Sequence, residues 1–244
     1  MLYIHGILLL MVGVTAVFST GCTSTYVGPR AGVAVTLEGG EQTGSVTSSS
    51  NGLGFTYGIT AGAGFTDRLG LQIDPNIRTA SVSQSVIYTT RQNGEDYIVN
   101  ATAHTVATLV ELPLMFTARK VVNDDLRTMF GIGGHMGFRT GLDGEITSSA
   151  VGVSAAVEGQ EVHVPTTSVS AGSDDSIIMG ITAMAAGDVV LSEQWSLRGS
   201  LMIQHDFMTD IMSAYSFGGS SGPLISTEYP LTRLMFTVSL LFGS

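Results

Sequence analysis

Two neighbouring stretches, Leu109–Arg119 (LVELPLMFTAR) and Leu126–Arg139 (LRTMFGIGGHMGFR), constrain this chain more than any other feature. In the first, Val110, Leu112, Leu114 and Phe116 alternate with Glu111, Pro113, Met115, Thr117 and Arg119. In the second, Phe130, Ile132, Met136 and Phe138 alternate with Arg127, Gly131, Gly133, His135, Gly137 and Arg139. A period of two is that of a β-strand, and the polar KVVNDD between the stretches reads as a short turn. One face is apolar, while the other holds glycine, arginine and a lone glutamate. That second face suits the crowded interior of a small barrel better than it suits water.

The same alternation recurs along the chain. Tyr26–Leu37 sets Pro29, Ala31, Val33, Val35 and Leu37 against Gly28, Arg30, Gly32, Ala34 and Thr36. Asn51-Gly52 is a hairpin signal, and Leu53–Phe65 returns with Phe55, Tyr57 and Ile59 opposite Gly54, Thr56 and Gly58. From Leu69, Leu71 and Ile73 oppose Gly70, Gln72 and Asp74, with a bulge expected at Asp74-Pro75 and polar β-prone sequence continuing to Arg91. Asn93-Gly94 is a second turn signal before Tyr97–Ala118. Gly141–Asp175 is a long polar segment with a turn expected at Gly159-Gln160. Beyond it, Ser176–Val190 turns Ile177, Met179, Ile181, Ala183 and Ala185 outward. Ser192–Asp206 sets Trp195, Leu197, Leu201 and Ile203 against Ser196, Arg198, Ser200, Met202, Gln204 and Asp206. Leu231–Phe242 sets Leu234, Phe236, Val238, Leu240 and Phe242 against Arg233, Met235, Thr237, Ser239 and Leu241. The reading is all-β, an eight-stranded antiparallel up-and-down transmembrane barrel. The count becomes ten if Ile146–Ala171 folds into the wall.

Which face is wet decides between a soluble and a membrane barrel. Lysine occurs once, at Lys120, whereas soluble sheets use lysine to solvate faces and blunt edges. Mean hydropathy is +0.34, yet after residue 18 no apolar run approaches the roughly 20 residues a membrane helix needs. Connections alternate long and short, the short ones near 66–68, 119–125 and 189–193, as in outer-membrane barrels with short periplasmic turns and long external loops. Phe65, Phe116, Trp195 and Phe242 would line one rim, and Phe55, Phe138 and Phe207 the other. Ile7–Phe18 has the length of a signal-peptide core, so residues 1–21 are expected to be a signal peptide and 26–244 the barrel. Cys22, the only cysteine, stands where a lipoprotein cysteine would be acylated, although Ser19 occupies the position where a lipobox prefers leucine.

The run LVELPLMFTARKVVNDDLRTMFGIGGHMGFR, above all Glu111-Leu112-Pro113-Leu114, resembles the middle of the PorT-like outer-membrane β-barrel family of Bacteroidota, and the closing LTRLMFTVSLLF is also similar. The chain departs from that pattern in ending on Gly243-Ser244 after Phe242. The resemblance implies a barrel in the cell outer membrane of a Gram-negative bacterium; it implies no single activity.

Interior parity places Glu111 among Arg30, Arg127, Arg198 and Arg233, with Asp74 and Asp206 as further counterions, a charge network that buried ions require. His135 is expected to hydrogen-bond Glu111. No catalytic, cofactor or metal site is expected: His104, His135, His163 and His205 share no metal-ligand spacing, and GIGGHMG lies in a strand with no following helix. His205 beside Asp206 suggests a rim-located lipid-modifying enzyme as one alternative, a narrow channel being the other, but neighbouring strand residues face opposite ways. With net charge −10 and no basic stripe, nucleic acid is excluded as a partner. The partners expected are outer-membrane lipid, periplasmic chaperones and the barrel-insertion machinery, and surface or envelope proteins.

Overall fold

The computed structural model describes residues 22–37, 46–49, 52–92, 94–152, 161–163, 177–208, 215–216, 224–225 and 232–243. The expected signal segment, the Gly159-Gln160 turn and much of the polar Gly141–Asp175 segment lie outside these residues. In chain order the strands are β1 Ser24–Leu37, β2 Val46–Ser49, β3 Leu53–Gly64, β4 Leu69–Ile73, β5 Asn76–Gln92, β6 Glu95–Val121 and β7 Leu126–Gly152. They continue with β8 Glu161–His163, β9 Ile177–Val190, β10 Trp195–Met208, β11 Tyr215–Ser216, β12 Leu224–Ile225 and β13 Thr232–Gly243.

Eight antiparallel wall positions close into a ring: β1, β3, the β4–β5 pair, β6, β7, β9, β10 and β13, which returns to β1. Closure removes the open edges that neither water nor lipid would tolerate for long. The turns at 65–68, 122–125 and 191–194 are each closed by backbone bonds, such as Phe65 N–H to Leu69 O at 2.8 Å and Leu191 N–H to Trp195 O at 2.9 Å. They lie at the same end of the barrel as Ser24 and Gly243.

The wall is inside-out relative to a soluble barrel. Phe116 and Ile132 are each 69% exposed, while Met115 and Met235, facing the other way, are 0% exposed. The row Leu69, Leu71, Ile73, Pro75, Ile77 spans roughly 20 Å of height at about 3.3 Å per residue and a 40° tilt, close to the lipid band of about 25 Å in such barrels. Trp195 and Phe242 meet edge to face, 5.1 Å between centroids, at the short-turn rim.

Two sequence expectations change. Asp74-Pro75 is not a bulge: Ala61 opposite Ile73 and Gly58 opposite Asn76 keep one register, as do Leu114 opposite Ile73 and Glu111 opposite Asn76. Pro75 lacks an N–H and so breaks the ladder pattern, but Asp74 N–H still reaches Pro113 O at 3.0 Å and Pro75 O still accepts from Ile59. The bulge lies elsewhere, between Thr108 and Leu109, where Gly141 and Arg139 are the partners and Thr140 is the extra residue. Nor do residues 146–152 add wall strands. They continue β7 outward, paired with β6.

β6 and β7 have 27 residues each, far more than the roughly 9–11 a membrane strand needs. Above the bulge they run on with β5 as a ladder from Thr79 opposite Thr108 to Gln92 opposite Glu95, turning at Gly94 with φ +87°. β2 and β8 pair onto the outer sides of this extension. An arginine replacing Ile132 at mid-height should cost about 2–4 kcal/mol in urea unfolding from lipid vesicles, whereas arginine at Thr89 on the extension should leave the midpoint unchanged.

Candidate functional site: the filled barrel interior

The interior is stacked in layers, because each strand contributes every second side chain inward. Next to the short turns, Tyr26 from β1 stacks beneath Arg198 from β10, whose guanidinium carbon is 4.4 Å from the ring centroid. Arg198 forks onto Asp188 of β9 at 2.6 and 2.8 Å. It also donates to Gln72 Oε1 at 2.7 Å, the oxygen that accepts from the Tyr26 hydroxyl at 2.7 Å. Gln72 passes the chain on to Asp74 through its amide, at 2.8 and 3.0 Å, and Arg30 Nη1 stands 2.6 Å from Asp74.

Above this lies a methionine layer. Met115, Met129, Met184, Met202 and Met235, from five different strands, form one buried cluster with Ala34. Unbranched thioethers fill an irregular cross-section that branched side chains would leave gapped. Three sulfurs face the polar layer beneath, receiving contacts from Gln72, Tyr26 and Arg30.

The second polar layer crosses the barrel. Arg78 of β5 forks onto Glu111 of β6 at 2.8 and 3.2 Å, and Arg233 of β13 approaches the same Glu111 at 3.2 Å. Arg233 in turn forks onto Asp206 of β10 at 2.6 and 2.7 Å. His135 of β7 bridges Asp206 at 2.8 Å through Nε2 and Thr182 of β9 at 3.0 Å through Nδ1. Arg78, Arg233 and Asp206 are 0% exposed. Leu109 and Ile178 form a further buried apolar pair.

The residues named from sequence divide accordingly. Glu111, Arg233 and Asp206 meet in the upper layer; Arg30, Arg198 and Asp74 meet in the lower. Arg127 joins neither: it is half-buried at the short-turn mouth and, although opposite Asp188 in register, forms no ion pair among the described residues, the Asp188 carboxylate being held by Arg198. His135 bonds Asp206 rather than Glu111, since Arg78 and Arg233 already occupy that carboxylate. Sequence reasoning missed Arg78, Asp188 and Gln72 as members; Arg78 sits four residues beyond Asp74 at inward parity, a signal hidden by the bulge assumed at Pro75. Cys22 is half-buried beside the start of β1.

The enzyme constellation does not assemble at the rim. Asp206 points inward and is sealed, whereas His205 points outward, bonding Thr232 at 2.9 Å and meeting Phe207 edge to face. Among the described residues no group of His, Cys, Asp and Glu has metal-binding geometry.

Close packing also fixes which residues tolerate change. A Cβ on Gly180 would fall against the His205 carbonyl oxygen and 2.5 Å from His135 Cε1, so Gly180→Ala should displace the imidazole and lower the urea midpoint. Glu111→Ala, which leaves the buried Arg78 without its carboxylate, should cost about 3–5 kcal/mol by the same measurement.

A barrel whose apolar face meets the surroundings and whose charged face is sealed inside belongs in a bilayer, and closed transmembrane barrels with this turn asymmetry are of the outer-membrane type. No family model and no curated protein matches the chain. Among solved structures it is similar to the outer membrane protein OprG from Pseudomonas aeruginosa, with 10% identity, 91% of this chain and 97% of that one covered, and a TM-score of 0.45. It is similar also to Neisserial surface protein A, at 10% identity, 89% and 96% coverage and TM-score 0.38. A third is the outer membrane protein W of E. coli, at 16% identity, 91% and 98% coverage and TM-score 0.32.

Proposed function

We propose that this chain is a non-enzymatic outer-membrane barrel of the PorT-like kind, acting as a rigid membrane anchor that presents the β5–β6–β7 sheet to surface or envelope proteins. The observation that carries this reading is a filled barrel continued by an ordered sheet of more than a membrane's height. Both polar layers are internally neutralised, and buried side chains fill the interior of an eight-stranded wall, which speaks against the channel alternative. Glu111-Leu112-Pro113-Leu114 and the closing strand support the PorT-like assignment. Outer-membrane lipid is the partner of the wall, and chaperones with the insertion machinery are partners in its biogenesis.

The outward face of the extension is half polar and accessible: Thr89, Asn100, His104 and Ser149 are exposed there, together with Ile87 and Ile98. A photoreactive amino acid at Asn100 in intact cells should give discrete protein adducts that are lost when the insertion is made at Phe130 on the lipid face. Planar bilayers holding the purified chain should show no conductance steps, and Asp206→Asn should leave the lipid A profile unchanged. Regular single-channel steps, or an altered lipid profile, would overturn the anchor reading.

A further inference from the structure

The chain holds ten Lys and Arg residues, and their distribution is unusual. Arg30, Arg78, Arg139, Arg198 and Arg233 are buried inside the wall. Arg91 lies near the far tip of β5. The remaining four, Arg68, Arg119, Lys120 and Arg127, gather at the short-turn end on one arc of adjacent strands, the β3–β4 turn, the end of β6 and the start of β7.

Register makes them neighbours. Leu69 pairs with Ala118, Arg119 N–H donates to Arg68 O, and Lys120 and Val121 pair with Thr128 and Arg127. Arg68 and Lys120 are exposed, and Lys120 has outward parity; Arg119 and Arg127 are half-buried behind them at the mouth. A small open groove between Arg68 and Arg119 is floored by Gly70, Thr117 and Gly64. None of the four cations forms an ion pair among the described residues. Asp67, Asp124 and Asp125 sit in the turns themselves, and Asp67 also borders the groove. Arg119 spends its charge on the Tyr26 ring, 5.4 Å away, and on the Ser24 hydroxyl. The opposite arc, around Ser192, Glu193 and Gln194, carries no cation.

The same strands carry the lipid-facing residues Leu69, Phe116 and Phe130, all more than half exposed. The arc therefore lies where the acyl region ends and lipid headgroups begin, and basic residues at that depth attract anionic headgroups. We propose that this rim holds the phosphate of an anionic phospholipid of the leaflet at the short-turn side, with Lys120 and Arg68 in contact and Arg119 and Arg127 adding positive potential from within. Its leaflet assignment rests on reading the short turns as periplasmic; the binding itself does not.

The full mature chain, isotope-labelled in zwitterionic micelles, tests this by titration with short-chain phosphatidylglycerol, short-chain phosphatidylcholine and inorganic phosphate. The expected result is saturable amide shifts at Gly70, Thr117, Lys120 and Thr128 with phosphatidylglycerol alone, none at Ser196 or Leu241 on the opposite arc, and at least tenfold weaker binding in the Arg68→Gln, Lys120→Gln double variant. Both side chains lie on the rim, so the double variant should keep its heat-modifiable gel mobility. Equal response to phosphatidylcholine, equal affinity for inorganic phosphate, or unchanged binding by the double variant would overturn the proposal. Protease cleavage at the short turns on intact cells would instead overturn the orientation while leaving the micelle result standing.

Discussion

Charges sealed inside a membrane barrel must be paired, and that requirement organises this molecule. Four cations deep inside the wall each find a carboxylate from another strand: Arg30 with Asp74, Arg78 with Glu111, Arg198 with Asp188, Arg233 with Asp206. Removing one member strands the other in a medium that cannot hydrate it, so the pairs act together rather than as independent contributions. Because Arg233 sits on the last strand and reaches both Asp206 and Glu111, the upper layer ties the closing strand to the centre of the sheet. The lower layer does the same for the first strand through Arg30 and Tyr26. Barrel closure and interior neutrality are thus satisfied by the same side chains.

The interior filling and the exterior projection divide the work of the fold. Methionines from five strands occupy the space between the polar layers, where their flexible thioethers fill the cross-section without adding a charge. Above the membrane the same strands continue, and the bulge at Thr140 changes which β7 side chains face inward: Arg139 is buried below it, Ala150 and Gly152 above it. A single inserted residue therefore separates a lipid-facing wall from a water-facing sheet without breaking either strand.

Much of this was legible from alternation alone. The face assignments of Val110 to Phe116, of Ile177 to Ala185 and of Leu234 to Phe242 follow from parity, since a one-residue slip would exchange every side chain between lipid and interior. The eight-stranded ring follows from counting such segments. Parity cannot say which charges meet, because cross-barrel neighbours depend on tilt and stagger, which no local pattern encodes. Hence alternation does not reveal Asp188 and Gln72 as partners of Arg198, and it points His135 at the wrong carboxylate. The assumed bulge at Pro75 had a further cost: it put the parity of Arg78 in doubt, whereas the unbroken register places it inward, opposite Glu111's strand.

The apolar face meets lipid while the charged face is sealed inside. Trp195 is the only tryptophan, so a Trp195→Phe background permits single probes at Phe116, Ile132 and Phe236. With the chain folded into vesicles whose acyl chains carry bromine at defined depths, each probe should be quenched, Ile132→Trp most strongly by bromines nearest the bilayer centre. A folded, heat-modifiable protein whose three probes are untouched by brominated chains but quenched by aqueous iodide would contradict the account and place the apolar face away from lipid.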